Sequence, residues 1–120
     1  MKNVTFRQVE VFEAVARHLN YSRAAKELRM SQPGVSNHVK HLEGHAGLPL
    51  FEQLGKKIYL TSAGHEMLRC SRAIIRQLRE ADEGIAALRG MRGGRLNIAV
   101  ISAGDYFFPG LLAEFCRRHE

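Results

Sequence analysis

The chain of 120 residues is 45% hydrophobic and 25% charged, which is typical of a globular protein and not of a disordered one. Its length allows one small domain with an appendage and excludes two full domains. The sequence shows no signal peptide and no long apolar run, so we expect a cytosolic protein that does not span a membrane. Cys70 and Cys116 lie on different predicted helices without the spacing of metal ligands, so a reducing setting suits both.

The positive charge is concentrated at the start of the chain. Lys and Arg number 18 against 12 Asp and Glu, for a net charge of +6. Residues 1–60 contribute +4 of this excess, residues 61–94 contribute +2, and residues 95–120 are neutral. Such an excess favours a polyanionic partner for the first segment, although many soluble proteins carry as much.

The first predicted helix opens with a capping box. Thr5 is the N-cap and Gln8 is the residue whose side chain reaches back. The helix that follows has an apolar stripe at three-four-three spacing, which needs a partner surface. Its members are Val9, Phe12, Ala16 and Leu19, with Val15 widening the face.

Two short helices come next, joined by a tight turn. Ser22 is the predicted N-cap of a helix over residues 23–30, whose small apolar face is Ala24, Ala25 and Leu28. Ser31 is the predicted N-cap of the second helix, and Pro33 sits in its first turn, where a missing N–H does no harm.

The second of these helices has two contrasting faces. Its apolar residues follow spacings of four, three and four and form one buried stripe, namely Val35, Val39, Leu42 and Ala46. The opposite arc has no carboxylate and consists of Pro33, Asn37, Lys40 and His41, with Ser36 on its flank. This arrangement is typical of a helix-turn-helix that reads the major groove of DNA. An ordinary helical hairpin with a solvated outer face is the alternative.

A short hairpin follows the second helix. Gly47 ends that helix and Pro49 prevents its continuation. Residues 51–54 and 58–60 are predicted strands that flank the basic tip Gly55-Lys56-Lys57. Next to a helix-turn-helix such a hairpin is a wing, and Lys56 and Lys57 are placed to meet phosphates.

A long helix is predicted from its cap, Thr61, to about Leu88 or Arg89, before Gly90. Apolar and small residues alternate along it at four-three spacing, as in a coiled-coil seam. A small domain cannot bury this stripe, so we expect the helix to pair with the same helix of a second copy. The seam residues are Met67, Ser71, Ile74, Leu78, Ala81, Ile85 and Leu88.

The last segment predicts one step of an α/β domain. Arg92-Gly93-Gly94 is a predicted flexible joint, residues 95–102 a buried strand of a parallel sheet, and residues 109–119 a helix. One strand and one helix cannot bury their faces alone, so the α/β domain is expected to be truncated. The predicted fold class is therefore mainly α, divided into a winged helix-turn-helix domain (1–61), a long helix with its joint (62–94) and a truncated α/β domain (95–120).

Six segments in order resemble the LysR-type bacterial transcriptional regulators. They are Ala24-Ala25-Lys26-Glu27-Leu28, Ser31-Gln32-Pro33, Val35-Ser36, Leu42-Glu43, Gly47-Leu48-Pro49-Leu50-Phe51 and Leu60-Thr61-Ser62-Ala63-Gly64. Within that family, the run from Gly93 through Tyr106-Phe107-Phe108-Pro109 most resembles regulators of carbon-fixation operons.

The resemblance implies a winged helix-turn-helix, a dimerising linker helix and an effector domain like the periplasmic binding proteins. Such regulators act on promoter DNA in the bacterial cytoplasm as dimers or dimers of dimers. The positions that match base contacts are Gln32, Pro33, Ser36 and Asn37, those that match backbone contacts from the preceding helix are Ser22 and Arg23, and those of the wing are Gln53, Lys56 and Lys57.

Three positions qualify what the resemblance implies. Family members usually have Arg where this chain has Gln53, which supplies no charge to a phosphate. Asn37 often corresponds to Arg, so base preference there is expected to shift from guanine towards adenine. Ser102 corresponds to a residue near the small-molecule pocket of full-length relatives, which bind an inducer. Most of that pocket is missing from this chain, so we expect it to bind no inducer and to need no cofactor.

Two other classes of function are compatible with parts of the sequence. A coiled-coil interaction module would use the long helix and bind no DNA. A metal site would use His41 and His45, four residues apart on one helix with His38 nearby, but no third ligand is evident. No nucleophile-base pattern, glycine-rich phosphate loop or paired carboxylate site predicts an enzyme.

Overall fold

The computed structural model describes residues 1–92, which form four helices and one hairpin. The helices are α1 (Phe6–His18), α2 (Tyr21–Leu28), α3 (Gln32–Ala46) and α4 (Ser62–Arg92), and the strands β1 (Phe51–Leu54) and β2 (Lys57–Leu60) lie between α3 and α4. The predicted mainly α fold, with a winged helix-turn-helix followed by a long helix, is confirmed. The predicted joint at Gly93-Gly94, the strand 95–102 with Ser102 and the helix 109–119 lie outside the described residues.

The chain divides into two compact units. Met1–Ile75 contains the first three helices, the hairpin and the beginning of α4. The second unit begins at Arg76, and its described residues, 76–92, continue α4.

The start of α1 is fixed by the predicted capping box. The Gln8 backbone N–H donates to Thr5 Oγ1, and the Thr5 N–H donates to Gln8 Oε1, both at 3.2 Å. Two otherwise unpaired N–H groups of the first turn are thereby satisfied. The helix ends at Leu19, which takes the left-handed conformation with φ 49°.

The predicted start of α2 was wrong by two residues. Asn20, not Ser22, is the N-cap, and its Oδ1 accepts from the Arg23 N–H at 2.9 Å. Both residue types cap helices well. The earlier start places Tyr21 in the helix, where its ring lies 6.1 Å from that of Phe51. Ser22 is consequently free to use its hydroxyl elsewhere.

The predicted limits of α3 are confirmed. Ser31 Oγ accepts from the Gly34 N–H at 3.1 Å, and Pro33 occupies the first turn. At the other end Gly47 takes φ 75°, a left-handed conformation that glycine adopts without a Cβ penalty.

The hairpin has a tighter turn than predicted. Leu54 pairs with Lys57 in the antiparallel ladder, so Lys57 begins β2 and the turn consists of Gly55 and Lys56 alone. Gly55 has φ 65°, and a glycine at the first position of a two-residue turn matches the right-handed twist of the strands.

Two buried clusters hold the first unit together. Phe12, Leu42 and Leu50 are fully buried in one of them, together with Leu68 of α4, and burial of each such side chain stabilises by about 1.5–3 kcal/mol. The other cluster joins the first three helices. It comprises Val11, Ala14, Val15, Ala24, Ala25, Val35 and Val39.

The fourth helix is longer than predicted. Thr61 caps it as expected, with Oγ1 accepting from the Gly64 N–H at 3.0 Å. Its predicted end near Arg89 was wrong, because it continues through Gly90 to Arg92. A single glycine costs a helix only about 1 kcal/mol, which does not suffice to end it.

Candidate nucleic-acid interface

The outer arc of α3 is open to solvent. Val35, Val39 and Leu42 point into the core and are at most 1% exposed. On the other side of the same helix the predicted contact residues are exposed, namely Gln32, Pro33, Asn37, Lys40 and His41, while Ser36 on the flank is half-buried. The helix therefore presents hydrogen-bonding groups and a cation to an external partner.

The first turn of α2 lies beside the first turn of α3. Ser22 Oγ donates to Gln32 Oε1 at 3.0 Å. Both side chains are exposed, as is the neighbouring Arg23. The structure thus brings predicted contact residues from two helices to one edge of the molecule.

Lys26 is a further candidate contact residue, which the sequence pattern did not indicate. It lies four residues after Ser22, so the two side chains share one face of α2. Lys26 is exposed, and that face borders the start of α3 through the bond between Ser22 and Gln32. The spacing of Ser22 and Lys26 was the available signal, but it became informative only once the neighbouring helix was known.

The predicted wing residues are exposed on the hairpin. Gln53, Lys56 and Lys57 all face solvent, and Gln53 Nε2 donates to the Gly55 carbonyl at 3.3 Å. This local bond spans the turn, in which Lys56 lies, and Lys57 follows directly as the first residue of β2. Gln53 carries no charge of its own to offer a phosphate.

The hairpin is tied directly to α3 and to the helices behind it. Glu43 on α3 accepts from the Leu50 N–H at 2.7 Å through Oε2. Phe51 at the start of β1 lies 5.3 Å from Phe12, measured between ring centroids. Burial, and then the charge of Glu43, raises the pKa of the Tyr21 phenol. The contacts of Leu50 and Phe51 hold the base of the hairpin against α3 and α1.

The one carboxylate of α2 is engaged with α1. Glu27 Oε1 accepts from Arg17 Nη1 at 2.7 Å and lies 2.9 Å from His18 Nε2. Hydrogen bonds from Arg17 and then from His18 lower the pKa of Glu27 to about 2, and the same carboxylate raises the pKa of Arg17. The negative charge of Glu27 is therefore compensated by α1, and the ion pairs found within residues 1–92 leave Arg23 and Lys26 unpaired.

The predicted dimerisation stripe is partly open. Leu78, Ile85 and Leu88 are 45%, 49% and 51% exposed. Met67, Ile74 and Ala81 are half-buried, and Ser71 is buried. The most exposed apolar side chains of the stripe thus lie in the second half of α4.

Within residues 1–92, His, Cys, Asp and Glu side chains form no group of three that could hold a metal ion. In the same part of the chain, no helix combines the length and apolar character needed to cross a bilayer.

Comparison with known proteins agrees with this geometry. Residues 6–65 match the family described as bacterial regulatory helix-turn-helix protein, lysR family. A RuBisCO operon transcriptional regulator of Allochromatium vinosum is 53% identical over 117 residues, which are 98% of this chain and 39% of that protein. The chain thus spans about two fifths of the length of this relative. The name of the relative agrees with the predicted resemblance to regulators of carbon-fixation operons.

Two solved structures that contain DNA share the fold. The crystal structure of the CbnR DNA-binding domain in complex with DNA is 39% identical, with a TM-score of 0.63 over 70% of this chain and 98% of that one. The Vibrio fischeri DarR complex with DNA is 28% identical, with a TM-score of 0.69 over 74% of this chain and 30% of that one.

Proposed function

Because this chain belongs to the LysR family of bacterial regulatory helix-turn-helix proteins, we propose that it binds double-stranded promoter DNA sequence-specifically. The exposed outer arc of α3 is the observation that carries this proposal. A helix packed on one face and free of carboxylates on the other can enter the major groove without electrostatic repulsion. The name of the Allochromatium relative supports an operon for carbon fixation as the target.

The contact residues divide into two groups with different tasks. Gln32, Ser36 and Asn37 carry hydrogen-bonding groups without charge, which suits them to base edges. The cations supply sequence-independent attraction to phosphates, with release of counterions. They are Arg23, Lys26, Lys40, Lys56 and Lys57.

A second copy of the chain completes the proposed DNA-binding unit. The exposed Leu78, Ile85 and Leu88 repeat at seven and three residues along α4, so they share one face. Pairing of this face with the same face of another copy removes it from water. Two α3 helices then read two half-sites, which predicts a symmetric operator. The family resemblance implies that full-length relatives assemble further into dimers of dimers. We propose the same assembly for the whole protein.

Titration with DNA tests the proposal. Sites are first selected with this chain from duplexes randomised over about 20 base pairs, two helical turns. Binding to the selected site is then measured by fluorescence anisotropy at two salt concentrations. Steep salt dependence and selection of a symmetric site support the proposal. Absence of binding at both salt concentrations contradicts it and favours the coiled-coil interaction module.

A matched pair of variants tests the role of α3. Asn37→Ala should cost about 1–3 kcal/mol of discrimination at one base pair of each half-site, the worth of a bidentate base contact. Asn3→Ala removes an exposed asparagine outside the helices and should leave the profile of base preferences unchanged. Equal profiles for the two variants would show that Asn37 reads no base.

A further inference from the structure

Two of the proposed DNA contacts touch each other. Ser22 Oγ donates to Gln32 Oε1 at 3.0 Å, from the second residue of α2 to the first residue of α3. Asn20 already caps α2, so the Ser22 hydroxyl is not needed for the helix start. Its hydrogen bond acts between helices instead.

This bond determines which end of the Gln32 carboxamide, the oxygen or the NH2 group, faces Ser22. Oε1 is turned towards Ser22, so the Nε2 group with its two N–H donors is turned away from α2. A free glutamine side chain has three rotatable bonds and can present either its donor or its acceptor to a base. Ordering such a side chain before binding lowers the entropic cost of the contact.

We propose that Ser22 is a positioning residue for sequence reading. It holds Gln32 with its amide donors directed at the DNA, so that Gln32 selects a base edge rich in acceptors, such as N7 and O6 of guanine. The inference rests on the proposed DNA-binding function. It assigns Ser22 an action through Gln32 in place of the backbone contact that the family resemblance implies.

The test compares base-by-base preferences of four proteins on the selected site. They are the wild-type chain, Ser22→Ala, Ser22→Thr and Gln32→Ala, and the double variant Ser22→Ala with Gln32→Ala is measured beside them. Ser22→Ala should reduce discrimination about two- to tenfold, the cost of ordering one long side chain, and only at the base pair that Gln32→Ala also affects. Ser22→Thr retains the hydroxyl and should restore the preference. The double variant should be no worse than Gln32→Ala.

Ser62→Ala is the matched control, because Ser62 is an exposed serine in the first turn of another helix, α4. It should leave every preference unchanged. Thermal unfolding of all variants separates recognition from stability. If Ser22→Ala lowers the unfolding temperature, the profile of Ser22→Thr decides whether the hydroxyl governs base preference.

Three outcomes overturn the inference. Ser22→Ala could weaken all sequences alike and flatten the salt dependence, which is the signature of a phosphate contact. It could alter a base pair that Gln32→Ala leaves untouched, or leave the profile as it is in the wild type. In these cases the proposed function stands and the positioning role falls. Failure of the wild-type chain to select any sequence overturns both.

Discussion

Replacement of Gly64 by alanine should destabilise the first unit strongly. Gly64 is buried in the first turn of α4, where that helix meets the base of the hairpin. A Cβ added there would lie 2.1 Å from the Leu50 carbonyl oxygen and 2.8 Å from Leu60 Cδ2. The first neighbour is backbone, which cannot turn aside as a side chain does.

The size of the effect follows from the displacement required. The added Cβ must retreat by about 0.9 Å to reach the 3.0 Å that such contacts respect. Overpacking of this kind costs about 1–3 kcal/mol. The same movement strains the bond from the Thr61 N–H to the Leu50 carbonyl, now 3.1 Å, at about 0.5–1.5 kcal/mol. We expect a loss of about 2–4 kcal/mol, which lowers the unfolding temperature by about 10–30 °C in a domain of this size.

Urea and thermal unfolding followed by circular dichroism measure this loss, and Gly44→Ala is the control. Gly44 lies within α3, and a Cβ there meets nothing within 4 Å. The same chemical change should therefore stabilise by about 0.5–1 kcal/mol through helix propensity. If Gly64→Ala unfolded within about 0.5 kcal/mol of the wild type, the order of the ordinary surface substitution, α4 could not approach the hairpin as closely as described.

Three further predictions concern charge and association. Lys57→Ala should weaken binding to all DNA sequences alike and reduce the salt slope by about one, because it removes one proposed phosphate contact. Ile85→Glu should convert the proposed dimer into a monomer in sedimentation velocity runs, because it places charge in the proposed apolar seam. Glu27→Gln should lower the free energy of unfolding at neutral pH, by less than about 1 kcal/mol since the pair with Arg17 is exposed to solvent. The hydrogen bond from Arg17 holds the pKa of Glu27 at about 2 in the folded chain, below the ordinary value of 4.5. The difference between wild type and Glu27→Gln should therefore be present above pH about 4.5 and vanish as the pH falls to about 2.

Each of these three changes has a control of equal chemistry. Lys2→Ala removes an exposed lysine outside the hairpin, Ala86→Glu adds a charge beside the seam, and Glu52→Gln neutralises an exposed carboxylate on β1. A shallower salt slope for Lys2→Ala than for Lys57→Ala would contradict the phosphate contact proposed for Lys57. Survival of the dimer in Ile85→Glu would contradict the proposed seam. A pH-independent effect of Glu27→Gln would contradict the ion pair as the source of its stabilisation.

The capping residues in the sequence predicted the starts of α1 and α3 correctly. Thr5 and Ser31 are caps in the structure because each precedes an apolar periodicity that only a helix satisfies. The start of α2 was misplaced because Asn20 and Ser22 are both good caps. Contact of Tyr21 with Phe51, a residue thirty positions away, accompanies the earlier start. The helices α1 and α2 end at Leu19 and Arg29, whose backbones are left-handed although neither residue is glycine. No residue type in the sequence therefore indicated these helix ends.

The exposure of the candidate site residues was predictable from the sequence, and the contacts among them were not. Periodicity alone placed Asn37 and Lys40 on the open side of α3, since their neighbours at core positions fix the phase of the helix. The bond between Ser22 and Gln32 depends on how α2 and α3 approach each other. Packing of many side chains decides that approach, and no spacing along the chain encodes it.

The open arc of α3 has an evolutionary consequence. Within residues 1–92, the side chains of Asn37, Lys40 and His41 form none of the side-chain hydrogen bonds or ion pairs that hold the domain together, and each is exposed. Under the proposed function, exchange of any of them changes what the protein recognises while the folding free energy stays nearly constant. Descendants of a duplicated copy can therefore acquire new operators one substitution at a time, without first gaining spare stability.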